Sequence, residues 1–440
     1  MLEKLNEFLW SVPVLGLILG TGLWLTVRTG FVQVRLFPAA WRDFWRRLRC
    51  RDSGFRALCT ALAATVGTGN IAGGAGAIAI GGPGAVFWMG VSAFLGLAVK
   101  FAEGTLAVRF REPDGRAGPM YIIRKGLGEK WRFLAVLYSF FGIIAAFGVG
   151  NATQINAVMT SLEGTGVSRA FSVGLGIALA VVVAVMVMGG ARAITGAAEA
   201  LVPVVSGAYI LLCLTALALR WEGLLPALAG ILRGAFAPRA VTGGAVAGVM
   251  TALRIGVSRG TFTNEAGMGT AAIAHGGAQV EHPVRQGLMG IMEVFLDTMV
   301  ICTLTALVIL TGGIEIPYGT DAGAELTAGA LAAVFGPWVR AALCGCLVLF
   351  ALATILGWGF YAGRCAEFLF GRINWRGFGI FQGGAVLLGL FLKTGTVWTL
   401  AEIVNGLMAL PNLVAVLLLT GEVGRLTGEY GMCYNREHRK

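Results

Sequence analysis

The chain has 440 residues, 57% of them hydrophobic and only 13% charged, with a mean hydropathy of +0.78. Soluble domains carry about 25% charged residues, so this composition excludes a soluble globular protein and points to the bilayer. The formal charge of +11 does not require nucleic acid as a partner, because the basic residues cluster in short loops between apolar runs.

Windows of about 20 apolar residues predict eleven spans, near 10–27, 57–80, 85–108, 133–160, 170–190, 199–219, 245–274, 287–312, 338–362, 378–393 and 397–420. The N-terminal MLEKLNEFLWSVP lacks the basic stretch of a cleaved signal peptide, so the first run is expected to stay as a span. An odd number of spans puts the termini on opposite sides. With the first loop cytoplasmic, the inside segments hold 24 of the 34 Lys and Arg, and the outside segments, Lys393 among them, hold seven. The positive-inside rule therefore predicts an external N-terminus, a cytoplasmic C-terminus and a cell (inner or plasma) membrane location. The eight cysteines are scattered, and Cys344-Gly-Cys346 is not a zinc spacing; all are read as thiols.

The second run, Thr60 to Gly84, is interrupted by Val66-Gly67-Thr68-Gly69-Asn70 and then by Gly73, Gly74 and Gly76. A helix that breaks in hydrocarbon strips backbone amides and carbonyls of their partners, at several kcal/mol each, so such backbone persists only against protein, water or a ligand. Close helix packing is the alternative reading of these glycines. In the third run Lys100 and Glu103 stand three apart and are expected to meet on one helix face. The fourth holds Asn151, Gln154 and Asn156, of which Gln154, the longest, is placed nearest the break. Arg254 and Arg259 open an interrupted stretch in the seventh run, Gly256-Val-Ser-Arg-Gly260-Thr-Phe-Thr-Asn264-Glu265-Ala-Gly267-Met-Gly269-Thr. The eighth carries an intramembrane Asp297, functional by default or else paired with Arg259 or Lys100. The ninth carries Thr354 and a Trp358 set between two glycines. No His, Cys and acidic side chains converge on a span, so no enzyme is expected.

Two interrupted runs, five spans apart, divide the chain into two five-helix halves, each opening with a broken helix. That pattern marks a midplane site in an inverted-repeat transporter. The predicted organisation is 1–55 as an extra helix and basic cytoplasmic loop, 56–220 as the first repeat and 221–244 as an external connection. Residues 245–420 are the second repeat and 421–440 a cytoplasmic tail.

The motifs VGTGNIAGGAGAIAIGGPGAVFWM, KFAEGTLAVRFRE, GVSRGTFTNEAGMGTAAIAHGGA, VFLDTMVICTLTALVILTGG and ATILGWGFYAGRCAEFLFG strongly resemble the signature of the alanine/glycine:cation symporter (AGCS, sodium:alanine symporter) family. The resemblance runs from the first span to the last. It implies an all-α membrane protein of the amino acid, polyamine and cation (APC) superfamily, with a LeuT-type 5+5 inverted repeat and two broken helices. It implies sodium-coupled import of small neutral amino acids, with alanine and glycine expected, and no organic cofactor. The expected partners are that substrate and the lipid bilayer, with no nucleic acid and no obligate protein partner.

Residue by residue, the resemblance implies an amino acid site at Thr68, Gly69 and Asn70, with Gln154, Gly260, Asn264 and Trp358. An α-carboxylate suits amides freed at Thr68 and Gly69. The α-ammonium suits carbonyls unwound around Gly256 to Gly260. The implied Na+ site takes the carbonyls of Ala63, Val66, Phe350 and Ala353 with the Thr354 hydroxyl, and a second Na+ would sit near the Thr65 carbonyl and Asn70. Many family members carry two hydroxyl residues where this chain reads Ala353-Thr354. Coupling to protons through Glu265 or Asp297, or a passive channel, stands as the alternative.

Overall fold

The computed structural model of the chain describes residues 2–10, 12–163, 165–244, 246, 248–320, 322–391 and 394–437. Lys393, His438 and Lys440, and Ala245, with which the second half was expected to open, lie outside them. Among the described residues all regular structure is helical. Seven helices are long and apolar enough to cross a membrane, or eight if the bent pair Ser53–Thr65 and Gly69–Gly81 is one span. The remaining expected spans fall on the 17-residue helix Val12–Arg28, the interrupted pair Val249–Asn264 and Thr270–His275, and the 15-residue helix Trp375–Gly389.

In chain order the principal helices are α1 (Leu2–Leu9), α2 (Val12–Arg28), α3 (Phe37–Cys50), α4 (Ser53–Thr65), α5 (Gly74–Gly81) and α6 (Gly84–Arg109). α7 spans Glu129–Glu163, followed by α8 (Arg169–Met188), α9 (Gly190–Leu219), α10 (Leu224–Phe236), α11 (Val249–Asn264) and α12 (Thr270–His275). α13 spans Pro283–Thr311. The chain ends with α14 (Ala324–Phe335), α15 (Val339–Phe370), α16 (Trp375–Gly389), α17 (Thr394–Leu418) and α18 (Thr420–Glu437). The seven cysteines whose side chains are described are free thiols.

Helix contact, rather than hydrophobicity, decides where these segments sit, since lipid is as apolar as leucine. α6 is the spine: nearly every residue from Gly96 to Val108 is buried, against α11 on one side and α13 on the other. Gly256 in α11 makes one approach possible, because a Cβ there would collide with the Ala85 carbonyl oxygen and press on the Trp88 side chain. This overturns one expectation. Gly256 and Gly260 lie inside the continuous helix α11, where they let α11 close on α6 instead of unwinding it; a Cβ on Gly260 would stand 3.0 Å from Met89 Cγ.

The Lys100–Glu103 pairing is corrected as well. Lys100 Nζ donates to Glu293 Oε1 of α13 at 2.9 Å, while Glu103 turns to backbone amides of the second break. Neighbours on one helix face separate when each finds a partner that burial makes more urgent. Arg259 faces Glu402 at 3.5 Å, and Asp297 faces neither Arg259 nor Lys100 in the contacts that define it, described below.

The tail helix α18 returns to the end of α6, where Glu422 pairs with Arg109 at 2.8 Å. Hydrogen bonds from Arg425, and then from Arg109, hold the Glu422 carboxyl down at about 2. A carboxylate depressed in this way contributes to docking at every pH above its unfolded value and ceases to as pH falls toward 2.

Gly256→Ala is expected to lower the thermal midpoint of the detergent-solubilised protein, at about 1–3 kcal/mol for an overpacked contact. An unchanged midpoint would mean that α11 and α6 are not held at this distance.

Candidate functional site

The first break forms because α4 ends at Thr65 and Val66 turns to extended angles (φ −79°, ψ 100°), its amide closing the last turn on the Leu62 carbonyl. A helix end leaves its last carbonyls without intrahelical partners, here those from Ala63 onward. The chain resumes as a π-type turn over Gly69–Gly73 and then α5, bent by 52° from α4. Asn70 folds back over the gap: its Oδ1 accepts from the Gly67 amide at 2.8 Å.

Helix α15 seats directly on this end. A Cβ on Gly357 would come within 2.9 Å of both the amide nitrogen and the Cβ of Ala64, and one on Gly67 would collide with Thr354 Oγ1. The same position on Gly67 lies 3.4 Å from Gln154 Oε1, which accepts from the Thr68 hydroxyl at 2.8 Å. Gly67, Thr68, Gln154 and Thr354 thus converge. Thr354 is 2% exposed, and its Oγ1 has no hydrogen-bond partner among the described residues. A buried hydroxyl left unbonded costs about 1–3 kcal/mol, so this oxygen, beside the partnerless carbonyls of α4, suits a hard cation that takes oxygen ligands. Phe350 and Ala353 are buried on the same helix, one turn and one residue before Thr354.

Trp358 is fully buried one turn further along. It packs where Gly150 has no side chain, against the π-type turn Ala146–Ala152 of α7, and edge-on to Tyr361 at 5.8 Å between ring centroids. Asn151, from that turn, is used elsewhere, accepting from Gln382 Nε2 at 3.0 Å. Asn156 lies further out, lining a cavity of about 190 Å3 with Gly73, Gly76, Arg259 and Glu325.

The second break covers Glu265 to Gly269, inside the interrupted stretch expected from Gly256 to Thr270 but beyond the Gly256–Gly260 carbonyls expected to be unwound. Glu265 adopts φ 54°, Gly267 φ 92° and Gly269 φ 76°, left-handed angles that reverse the chain between α11 and α12 and favour glycine at two of the three. Gly260, placed in the substrate site by resemblance, sits one turn inside α11, and its carbonyl accepts from the Thr263 hydroxyl at 2.9 Å. The carbonyls around Gly256 are therefore inside a helix, and those that lack a following helical turn are at the end of α11, next to Asn264.

Asp297 joins the two breaks. Asn70 Nδ2 donates to Asp297 Oδ1 at 2.7 Å, Thr298 Oγ1 to Asp297 Oδ2 at 2.7 Å, and Asn264 Nδ2 to Thr298 Oγ1 at 3.1 Å. Asn264 Oδ1 in turn accepts from the Ala266 amide at 3.0 Å. The chain of bonds runs from the Gly67 amide to the Ala266 amide, and its members Asn70, Asp297, Thr298 and Asn264 are buried. Gly69 meets the same neighbourhood from the other side, a Cβ there standing 3.2 Å from Thr263 Cγ2. Thr65 donates its hydroxyl hydrogen to the Ala61 carbonyl at 3.3 Å, which leaves the lone pairs of the hydroxyl oxygen unengaged by this bond.

Two residues escaped the sequence reading of the site. Glu103 Oε1 accepts from the amides of Gly267 and Gly269, both at 3.1 Å, and from Asn412 Nδ2 at 2.6 Å; it satisfies the broken backbone that no helical carbonyl can reach. Nothing in the local spacing betrays this, although an acid in an apolar run is itself a signal. Asn412 appears in the sequence only as an amide beside Pro411.

The chain is similar to known proteins over its whole length. The profile described as the sodium:alanine symporter family matches residues 1–440. The sodium/alanine symporter AgcS of Methanococcus maripaludis is 40% identical over 440 residues, 96% of this chain and 95% of that protein. The amino-acid carrier protein AlsT of Bacillus subtilis is 35% identical over 97% of this chain and 90% of its own. Among solved structures, that of MhsT in complex with L-phenylalanine superposes with a TM-score of 0.60 at 17% identity, covering 83% of this chain and 88% of that one. At such identity the likeness is one of fold.

Glu103→Ala should leave two buried amides without an acceptor and lower stability by about 1–3 kcal/mol for each group so exposed to a loss. Glu103→Gln, which keeps one carbonyl oxygen, should recover part of that. Equal thermal midpoints for wild type and Glu103→Ala would show that the second break is held by something else.

Proposed function

Because the chain belongs to the sodium:alanine symporter family, a family of sodium-coupled amino acid carriers, we propose that it imports small neutral amino acids, alanine and glycine, together with Na+ by alternating access. The observation that carries the sodium half of this reading is the Thr354 hydroxyl, buried, unbonded and set against Gly67 at the end of a broken helix. Na+ here is cargo. In the proposed site it is held by the carbonyls of Ala63, Val66, Phe350 and Ala353 with Thr354 Oγ1, so that binding draws α15 and the first break together. The Thr65 carbonyl and Asn70 offer a second, weaker position.

The amino acid is proposed to lie between the two breaks. Its carboxylate meets the amides of Thr68 and Gly69, which the bend of the first broken helix leaves open and which face the positive end of the π-type turn and α5. Its ammonium meets the last carbonyls of α11 beside Asn264, with Gln154 in support. Gly260 contributes room, and Trp358 bounds the side-chain pocket. Such a pocket excludes bulk more sharply than it separates glycine from alanine, for which one methyl group gives roughly 1–3 kcal/mol. Binding stabilises an occluded state, and release follows toward the cytoplasm.

The eleven-span count, the two five-helix repeats at 56–220 and 245–420, the connection at 221–244, the tail at 421–440 and the external N-terminus belong to the same proposal. The bent pair in the first half and the interrupted pair in the second support it. A second reading, proton coupling, is favoured by Asp297, whose hydrogen-bonded partners are the neutral groups of Asn70 and Thr298, and by the buried Glu265.

Radiolabelled alanine uptake into proteoliposomes, with an inward sodium gradient and with choline in its place at fixed pH, separates these readings. Accumulation is expected only with sodium; accumulation that follows a proton gradient instead would transfer coupling to Asp297 or Glu265. Thr354→Ala should raise the half-saturating sodium concentration about tenfold, equivalent to ~1.4 kcal/mol, and an unaltered sodium curve would remove it from the ion's shell. Asn70→Ala, which cuts the Gly67 and Asp297 bonds together, should abolish coupled uptake while the protein still folds. Uptake near the wild-type rate would refute its role.

A further inference from the structure

Helix α3 lies outside every element of the transport site, and its surface is divided lengthwise. Leu36, Ala39, Ala40 and Arg47 face the protein. On the other side Trp41 and Trp45, 40% and 43% exposed, stand one turn apart with their rings edge to face at 5.7 Å. Directly beside that aromatic edge runs a row of Arg42, Arg46 and Arg49, all exposed. The two edges are offset by one residue, about 100° around the helix.

Its contacts fix its tilt. Phe37 at the start of α3 packs on Phe295 at 4.9 Å between ring centroids. Phe295 is twelve residues into α13, which begins at Pro283, so this end of α3 lies about 18 Å along α13 from its start. The other end returns to the level where α13 and α4 begin. There Arg47 Nη1 meets the Asp52 carboxylate at 3.0 Å, and the guanidinium fills the space beside Gly54. α3 therefore runs alongside α13, from the level of Phe295 back to the level where α13 and α4 begin, and carries the arginine row toward that end.

We infer that α3 is a contact surface for anionic phospholipid: Trp41 and Trp45 enter the acyl boundary while Arg42, Arg46 and Arg49 take up the headgroup phosphates. Tryptophan suits the interface because one face of it is apolar and one edge donates. A helix with an aromatic edge beside a basic edge binds a surface whose lipids are negatively charged. Eight of the chain's Lys and Arg fall between Arg28 and Arg56, and charge complementarity selects the anionic headgroup over a neutral one. Arg47 belongs to the same helix but not to this surface. It holds Asp52, whose carboxylate also accepts from the Phe55 amide at 2.8 Å and so caps the first broken helix.

The full-length protein in detergent, titrated with phosphatidylglycerol or phosphatidylcholine, tests this through the thermal midpoint, a readout that does not depend on transport. Phosphatidylglycerol should raise the midpoint more than phosphatidylcholine does. The Arg42→Gln/Arg46→Gln/Arg49→Gln protein should lose that difference while matching the wild type in phosphatidylcholine. For the wild-type protein alone, the difference should shrink between 50 mM and 500 mM salt, as screening requires. A headgroup preference that survives both the substitutions and the salt overturns the inference. So does an equal shift on adding inorganic phosphate, which would mean an ion site, or a shift that tracks conversion of a dimer to a monomer, which would make the Trp41–Trp45 edge a contact between copies.

Discussion

A backbone group that leaves a helix inside hydrocarbon must find another partner, and the interior of this protein is arranged to meet that demand twice. At the first break the answer comes from within, since Asn70 bends back to the Gly67 amide. At the second it comes from a neighbour, since Glu103 crosses from α6 to the amides of Gly267 and Gly269. Near the first break Gly67, Thr68, Gln154 and Thr354 converge, with the Thr354 hydroxyl left unbonded.

Those two solutions are tied to each other. Through Asp297 and Thr298, Asn70, which closes the first gap, is linked by hydrogen bonds to Asn264, whose Oδ1 holds the Ala266 amide inside the second. Neither break can alter its angle without disturbing a bond that the other uses. Polar networks in a medium of low dielectric are strong when complete and costly when interrupted, so ligands that replace one member of this chain act on both broken helices at once. Gly256 of α11 and Gly357 of α15 bring their helices against neighbouring backbone, at the Ala85 carbonyl and the Ala64 amide.

Much of this was legible in the sequence, and the part that was not has a common cause. An apolar run interrupted by Val66-Gly-Thr-Gly-Asn70 announces a break because no side chain in it resists unwinding, and Gln154 was found because a long amide in a span has to bond to something. Thr354 came from resemblance, yet its unbonded hydroxyl beside Gly67 gives that assignment an independent physical ground. The second break lies within the stretch expected for it, but not at its first glycines: Gly256 and Gly260 read as flexible, whereas they are small, and what they permit is contact with Ala85 and Met89. Composition cannot distinguish a glycine that frees the chain from one that admits a neighbour. The partner of Glu103 was missed for a related reason. Spacing on one helix names Lys100, but the amides that claim the carboxylate lie more than 160 residues away in sequence.

Lys100, freed from that pairing, belongs to a buried circuit whose wiring is fully determined. Its ammonium bonds to Glu293 Oε1, whose other oxygen faces His275 Nε2 at 2.9 Å, and Gln286 Nε2 bonds to His275 Nδ1 at 2.7 Å while also reaching the Gly54 carbonyl. An amide nitrogen can only donate, so Nδ1 accepts and Nε2 carries the imidazole's hydrogen toward the carboxylate. An exchange of Gln286 for glutamate, nearly identical in shape, would turn the donor into an acceptor and oblige the ring to carry a second hydrogen. Position 286 is thus bound to position 275: this arrangement persists only with a side chain there that offers a hydrogen to Nδ1.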